Sequence, residues 1–290
     1  MDRNNTVINW LLEDANPAIK YRCLNELLGE ETSSQDVVTY VNSFLPEGWE
    51  ETKGLWFTYY LNAIAECGLT SEDISIPKEK ALLLIENETF DFGCGDFMLL
   101  RAMIMLGYHN DSRIIEQLNC LNSKQLPDGG FLCLHRLEKL NYTPKSCVKS
   151  NNFALLLCSE CKKRGITLNI ADNLLDYYWG HNLFYKKNNL SELILNARNG
   201  WRTIDTFHPF EVMRVGLHNI VEAFCALGYG NDNSLTNSWD LMNSKKNDEG
   251  QYLLEGTLTK SYLPKERVGK PSKWVTFYSL LAQKNTENNK

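Results

Sequence analysis

The chain has 290 residues, of which 43% are hydrophobic and 23% charged, and a formal net charge of −6. That length suits one large domain or two modest ones with a sizeable core, and the composition is globular rather than disordered or fibrous. Lys and Arg are scattered apart from short groups such as Lys162-Lys163-Arg164, so the clustered cations that phosphate neutralisation needs are missing and no nucleic-acid partner is expected.

The N-terminal residues are polar, with no early apolar run of targeting length. From Thr6 to Gly29 the pattern predicts two short helices broken near Asp14-Ala15-Asn16-Pro17, with Asn16 as cap and Pro17 at the first helical position. Ser33 or Ser34 caps a third helix through Val37, Val41 and Phe44. Helix 55–67 stops at Gly68, and Pro77 opens helix 78–86. Helix 97–106 stops at Gly107, and Asp111 caps 112–123. A turn at Leu126–Phe131 and a long mixed loop precede helix 148–163, which stops at Gly165. Helix 170–179 follows, then a loop or partly helical region to Phe210. Helix 211–227 stops at Gly228, Asn231 or Asp232 caps 233–244, and a last helix covers 273–283. No set of alternating strands is evident. The longest apolar stretches, such as Phe153 to Cys158, fall far short of the roughly 20 residues that span a bilayer. No transmembrane segment is expected. A cytoplasmic location is expected, with the nine cysteines kept mostly as thiols.

The pattern repeats. Leu106-Gly107-Tyr108 returns as Leu227-Gly228-Tyr229, Asn110-Asp111 as Asn231-Asp232, Asn122-Ser123-Lys124 as Asn243-Ser244-Lys245, and Asp128-Gly129 as Glu249-Gly250. The offset, 227 − 106 = 121, holds throughout without a gap. Each copy is an apolar helix, a glycine stop, an Asp-capped amphipathic helix and an acidic-Gly-aromatic turn. The pairs ending at Gly165 and Trp179 and at Gly68 and Phe92 are degenerate copies. A single hairpin cannot bury its own apolar face, so such units stack on neighbours, into an open solenoid or a closed double ring.

Gln125-Leu126-Pro127-Asp128-Gly129-Gly130-Phe131 resembles the Gln-x-x-Asp-Gly-Gly-aromatic turn of squalene and oxidosqualene cyclases. A related turn occurs in protein prenyltransferase β subunits. The resemblance spans roughly 54–285 and implies an all-α fold, an α/α toroid of stacked helical hairpins over residues 51–290. Asp14-Ala15-Asn16-Pro17-Ala18-Ile19-Lys20-Tyr21 is similar to the start of a HEAT-type repeat, which makes residues 1–50 a HEAT-like helical extension packed on the ring. A HEAT solenoid over the whole chain is the alternative.

For chemistry, the resemblance raises two questions. Class II cyclases protonate a polyene with Asp-x-Asp-Asp, and class I synthases hold Mg²⁺-diphosphate with Asp-Asp-x-x-Asp. This chain has no adjacent Asp-Asp pair. Asp91, Asp96 and Asp205 stand near expected helix mouths, with Asp96 and Asp205 as substitute acids; each serves equally well as a cap or turn carboxylate. Prenyltransferase β subunits bind Zn²⁺ through Asp, Cys and His at the ring mouth. Their Asp-x-Cys element is missing here, but Cys94, Cys133 and Cys147 are placed to converge with His218, or with His181 or His208, on the mouth where inner helices begin. Such a set holds zinc, structural if closed and catalytic if water completes it; unlinked buried cysteines are the alternative. Trp56, Trp201, Phe207 and Phe210 are the aromatic candidates for lining a cavity, although aromatics also simply fill cores. Two functions follow. One is enzymatic: a toroid holds an apolar, isoprenoid-like small molecule in a central cavity, and a carboxylic acid or a Cys-bound metal acts on it. The other is a non-catalytic binding or scaffold protein, with a peptide or lipid as ligand and any metal structural.

Overall fold

A computed structural model describes residues 6–132, 145–186, 189–193, 203–211, 214–257 and 263–288. They are mostly helical. Helix α1 (Thr6–Leu11) leads to α2 (Pro17–Arg22), whose N-cap Asn16 accepts the Ile19 N–H at 3.2 Å. Here α2 runs on into a wide π turn over Cys23–Leu28, closed by Gly29 at φ +72°. Then come α3 (Gln35–Phe44), α4 (Leu55–Glu66), α5 (Lys78–Ile85), α6 (Cys94–Met105) and α7 (Ser112–Lys124). Next are α8 (Val148–Lys163), α9 (Ala171–Gly180), α10 (Leu217–Ala226), α11 (Thr236–Asn243) and α12 (Lys273–Asn288). Among the described residues no helix is long and apolar enough to cross a membrane, and no disulfide is formed.

The more apolar helix of each hairpin forms the interior, as the pattern requires. α4 packs on α6, α6 on α8, α8 on α10 and α10 on α12, while α12 packs on α2 and the π turn. These helices are buried nearly all round; α7, by contrast, buries only Ile114, Leu118 and Leu121. Gly68, Gly107, Gly165 and Gly228 end α4, α6, α8 and α10 at φ +85°, +98°, +74° and +101°, the left-handed region that a side chain rarely adopts. Asp111 and Asp232 cap the following helices through the N–H groups of Arg113 and Ser234.

The repeat extends to hydrogen bonds, although the partners of the turn aromatics are offset by 276 − 151 = 125 positions rather than 121. Phe131 donates its N–H to Asn151 Oδ1 at 2.7 Å, and Tyr252 donates its N–H to Thr276 Oγ1 at 2.9 Å. Cys147 N–H then meets Phe131 O, and Ser272 N–H meets Tyr252 O. In both copies the aromatic of the turn is thus tied to the fourth residue of the next inner helix.

Three local expectations are corrected. A two-stranded antiparallel ribbon, β1 (Tyr185–Lys186) and β2 (Asn189–Leu193), occupies part of the stretch read as loop or helix. α6 starts three residues early, at Cys94, because the Asp96 carboxylate accepts the Gly93 N–H and closes a cap there. α10 starts at Leu217 rather than Glu211. Its cap, Gly216, lies so close to the Phe207 backbone nitrogen that a Cβ would stand 2.7 Å away. Leu217 N–H on Asp205 O and the parallel bridge from Phe207 to Gly256 tie this start to segments before and after it.

Candidate functional site

Five of the residues singled out from sequence stand at helix starts: Trp56 on α4, Cys94 and Asp96 on α6, Cys147 before α8 and His218 on α10. His218 is the second residue of α10. It is fully buried, neither ring nitrogen has a hydrogen-bond partner, and its ring centroid lies 5.8 Å from that of Tyr278. His208 packs edge-on against Phe210 at 4.9 Å and Trp274 at 6.1 Å. Burial pushes both imidazoles down to about 3, helped by Lys265 at His208 and by His208 itself at His218. Phe210 reaches from Trp274 to Phe44 of α3. Phe207 lies on Gly256, with the Arg214 guanidinium 5.4 Å from its ring centre. Segment 203–211 is thus an aromatic plug over the start of α10 and α12.

Of the remaining candidates Asp205 belongs to this segment and the others lie on other elements. Cys94 is the buried first residue of α6, and Cys147 is the N-cap of α8. His181 follows α9, with Nδ1 2.7 Å from Tyr177 O. Asp96 spends Oδ2 on the N–H groups of Gly93 and Asp91. Asp205 anchors α10 through its carbonyl. Trp56 stands 47% exposed on the first turn of α4. Cys133 and Trp201 lie outside the described residues. Among the described residues no group of three or more His, Cys, Asp and Glu side chains is placed to hold a metal ion.

A different set of residues, unforeseen from sequence, meets between the inner helices. Arg22 of α2 donates to Glu66 O (3.0 Å) and to Tyr278 Oη (2.8 Å), and Tyr278 donates to the Glu66 carboxylate. Arg101 of α6 bonds Glu66 Oε1 at 2.5 Å and lies 3.8 Å from Glu160 of α8. Glu160 also holds Lys163 and Arg164 at 3.2 and 2.8 Å, and Lys163 holds Glu222 of α10 at 2.8 Å. Glu222 accepts from Asn285 of α12, and the neighbouring Lys284 donates to Glu26 O, beside Arg22. The circuit passes through α2, α4, α6, α8, α10 and α12 and returns to α2. Burial raises the Glu160 pKa, but Lys163, Arg101 and Arg164 together outweigh it and hold the group well below the carboxylate range. Burial outweighs Lys163 at Glu222, whose pKa is raised. The sequence signals this circuit only in part: Asn62, Arg101, Ser159 and Glu222 each stand six residues before the terminal glycine of their helix and all four are buried, but of these only Arg101 and Glu222 are members, Asn62 accepts from Arg101, and the Ser159 hydroxyl has no hydrogen-bond partner.

The Asp128-Gly129-Gly130 turn is a structural joint. Gln125 Nε2 donates to Gly129 O and Ile170 O, while Asp128 accepts the N–H groups of Gly130 and Ser146 at 3.1 Å each. It thereby ties the end of α7 to the starts of α8 and α9. Beside it opens a cavity of about 540 Å³ walled by Asp128, Lys145, Asn173, Asp176, Tyr177 and His181. No family model matches this chain, and neither a curated protein nor a solved structure matches it.

Proposed function

We propose that the chain is a non-catalytic binding protein built as an α/α toroid. In this reading α4, α6, α8, α10 and α12 form the inner wall and α5, α7, α9 and α11 the outer one. The α2–α3 pair is a HEAT-like extension that helps to close the ring, and the protein works in the cytoplasm. The ion-pair circuit carries the proposal. A proton-donating cyclase needs a carboxyl group kept protonated beside an apolar chamber. Here Glu160 is held as an anion by three cations, Glu66 is bonded by Arg101 and Tyr278, Asp96 is committed to its cap, and Glu222, whose pKa burial raises, is bonded by Lys163 and Asn285. Charged groups that already satisfy one another between the helices favour a rigid scaffold over a reaction chamber. Any zinc is then structural.

The apolar-ligand reading is favoured at one place: Leu55 and Trp56 are exposed beside Tyr59 on the first turn of α4, away from the circuit. One set of incubations tests both. The full chain is mixed with squalene, and separately with farnesyl diphosphate, Mg²⁺ and a cysteine-bearing peptide, with and without Zn²⁺. We expect unchanged substrates by chromatography and sub-stoichiometric zinc by elemental analysis. A cyclised hydrocarbon or a prenylated peptide would overturn the proposal. Stoichiometric zinc lost in Cys147→Ser supports a metal centre, and saturable binding without turnover, lost in Trp56→Ala, supports the apolar site.

A further inference from the structure

The cavity beside the Asp128-Gly129-Gly130 turn has the volume of a small-molecule site, and its described lining is rich in acceptors. The turn uses most of its own donors: Gly129 N–H bonds Leu126 O at 2.9 Å, Leu126 N–H bonds Gly130 O at 2.8 Å, and Gly130 N–H bonds Asp128 Oδ1. Pro127 has no N–H to offer. Asn173 gives one Nδ2 hydrogen to Gln125 Oε1 at 3.0 Å and adds Oδ1, an acceptor, to the wall. His181 has Nδ1 2.7 Å from Tyr177 O, so Nδ1 carries the hydrogen and the Nε2 lone pair remains. Asp128 is fixed by two backbone N–H groups yet keeps further lone pairs, since a carboxylate has about four acceptor sites. Asp176 adds a second carboxylate from the exposed side of α9. Among these wall residues the charged donor is Lys145, a single cation against two carboxylates.

We infer that this cavity binds a small organic cation rich in N–H donors, a guanidinium or a primary alkylammonium. Fixed acceptors from the turn and from α9 receive the donors, and the excess negative charge selects the cation. Several of the acceptors are held by the joint between consecutive hairpins, so the site is pre-organised and needs no rearrangement to bind. The inference rests on the binding reading above, but the two fail separately. Conversion of squalene sinks that reading whatever this cavity holds; absence of cation binding here leaves the incubations untouched.

The test is a calorimetric titration of the full chain with agmatine, and with tetramethylammonium as a cation lacking N–H donors, at constant ionic strength. Agmatine is expected to saturate at one per chain and tetramethylammonium to give no saturable heat. Asp176→Asn, and His181→Phe, which preserves ring packing on Tyr177, should each weaken agmatine by about tenfold through loss of one acceptor. Asp176 is exposed, so its variant should match the parent in circular dichroism. No saturable agmatine binding, equal binding of tetramethylammonium, or unchanged affinity in both variants would each overturn the inference.

Discussion

A methyl group at position 130 would stand 2.4 Å from the Ser146 Cβ and 2.5 Å from the Asn151 Nδ2. Those neighbours belong to the joint that starts α8, so neither can yield without loosening it. Gly129 is constrained twice, by φ +86° and by an approach that would put its Cβ 2.2 Å from Asn173 O. The two glycines are therefore explained by backbone geometry, with no ligand involved. Gly130→Ala should cost about 1–3 kcal/mol, the range for an over-packed site. Gly180, where a Cβ would meet nothing within 4 Å, supplies the control: Gly180→Ala should be neutral or stabilising by about 0.5–1 kcal/mol, because alanine suits a helix better. Urea denaturation of both variants checks this pair, and a Gly130→Ala protein as stable as its parent would refute the close contact.

At the scale of elements, the helix ends were legible because each is set by one residue. Glycine stops at 68, 107, 165 and 228 and Asp caps at 111 and 232 fall where the sequence puts them. The start of α10 was not legible, because it depends on Phe207 lying against Gly216 and Gly256, contacts between segments distant in sequence. The plug made by that segment buries two neutral imidazoles, and this has a consequence for pH. In the unfolded chain each takes a proton near its ordinary 6.5; in the fold each stays neutral down to about 3. Between those values the unfolded state binds more protons, so stability is complete above about pH 6.5 and falls as pH drops through the window. Each imidazole contributes a slope of up to about 1.4 kcal/mol per pH unit. His218→Phe, which matches Phe97 at the corresponding place in the repeat, should flatten the slope between pH 6 and pH 5 by about that amount. Denaturation midpoints across that range, with parent and variant side by side, provide the measurement; parallel slopes would show that His218 is protonated in the fold.

For the molecule as a whole, the sequence reveals that apolar helices recur and that each carries a polar residue six positions before its glycine. It does not reveal which buried charges pair, since Arg22 reaches Glu66 across 44 positions and Tyr278 across 256. Such partners are chosen by the packing of helices that are distant in sequence. The circuit's worth should therefore appear as coupling rather than as separate contributions. Glu66→Leu takes the shared carboxylate from two buried arginines, leaving Arg22 with Glu26 and Arg101 with only the 3.8 Å contact to Glu160, and breaking buried pairs in this way costs about 3–5 kcal/mol. Arg101→Met is milder, because Glu66 keeps Arg22 and Tyr278 and Glu160 keeps Lys163 and Arg164. In the double variant Arg101 no longer needs a counter-charge, and only Arg22 is left beside an apolar side chain, still bonded to Glu26. The double should then cost less than the sum of the singles by about 1–3 kcal/mol, the range for contacting residues in one network. A double-mutant cycle by chemical denaturation measures that term. Strict additivity would mean that the helices are held by their apolar faces alone, with the charges idle between them.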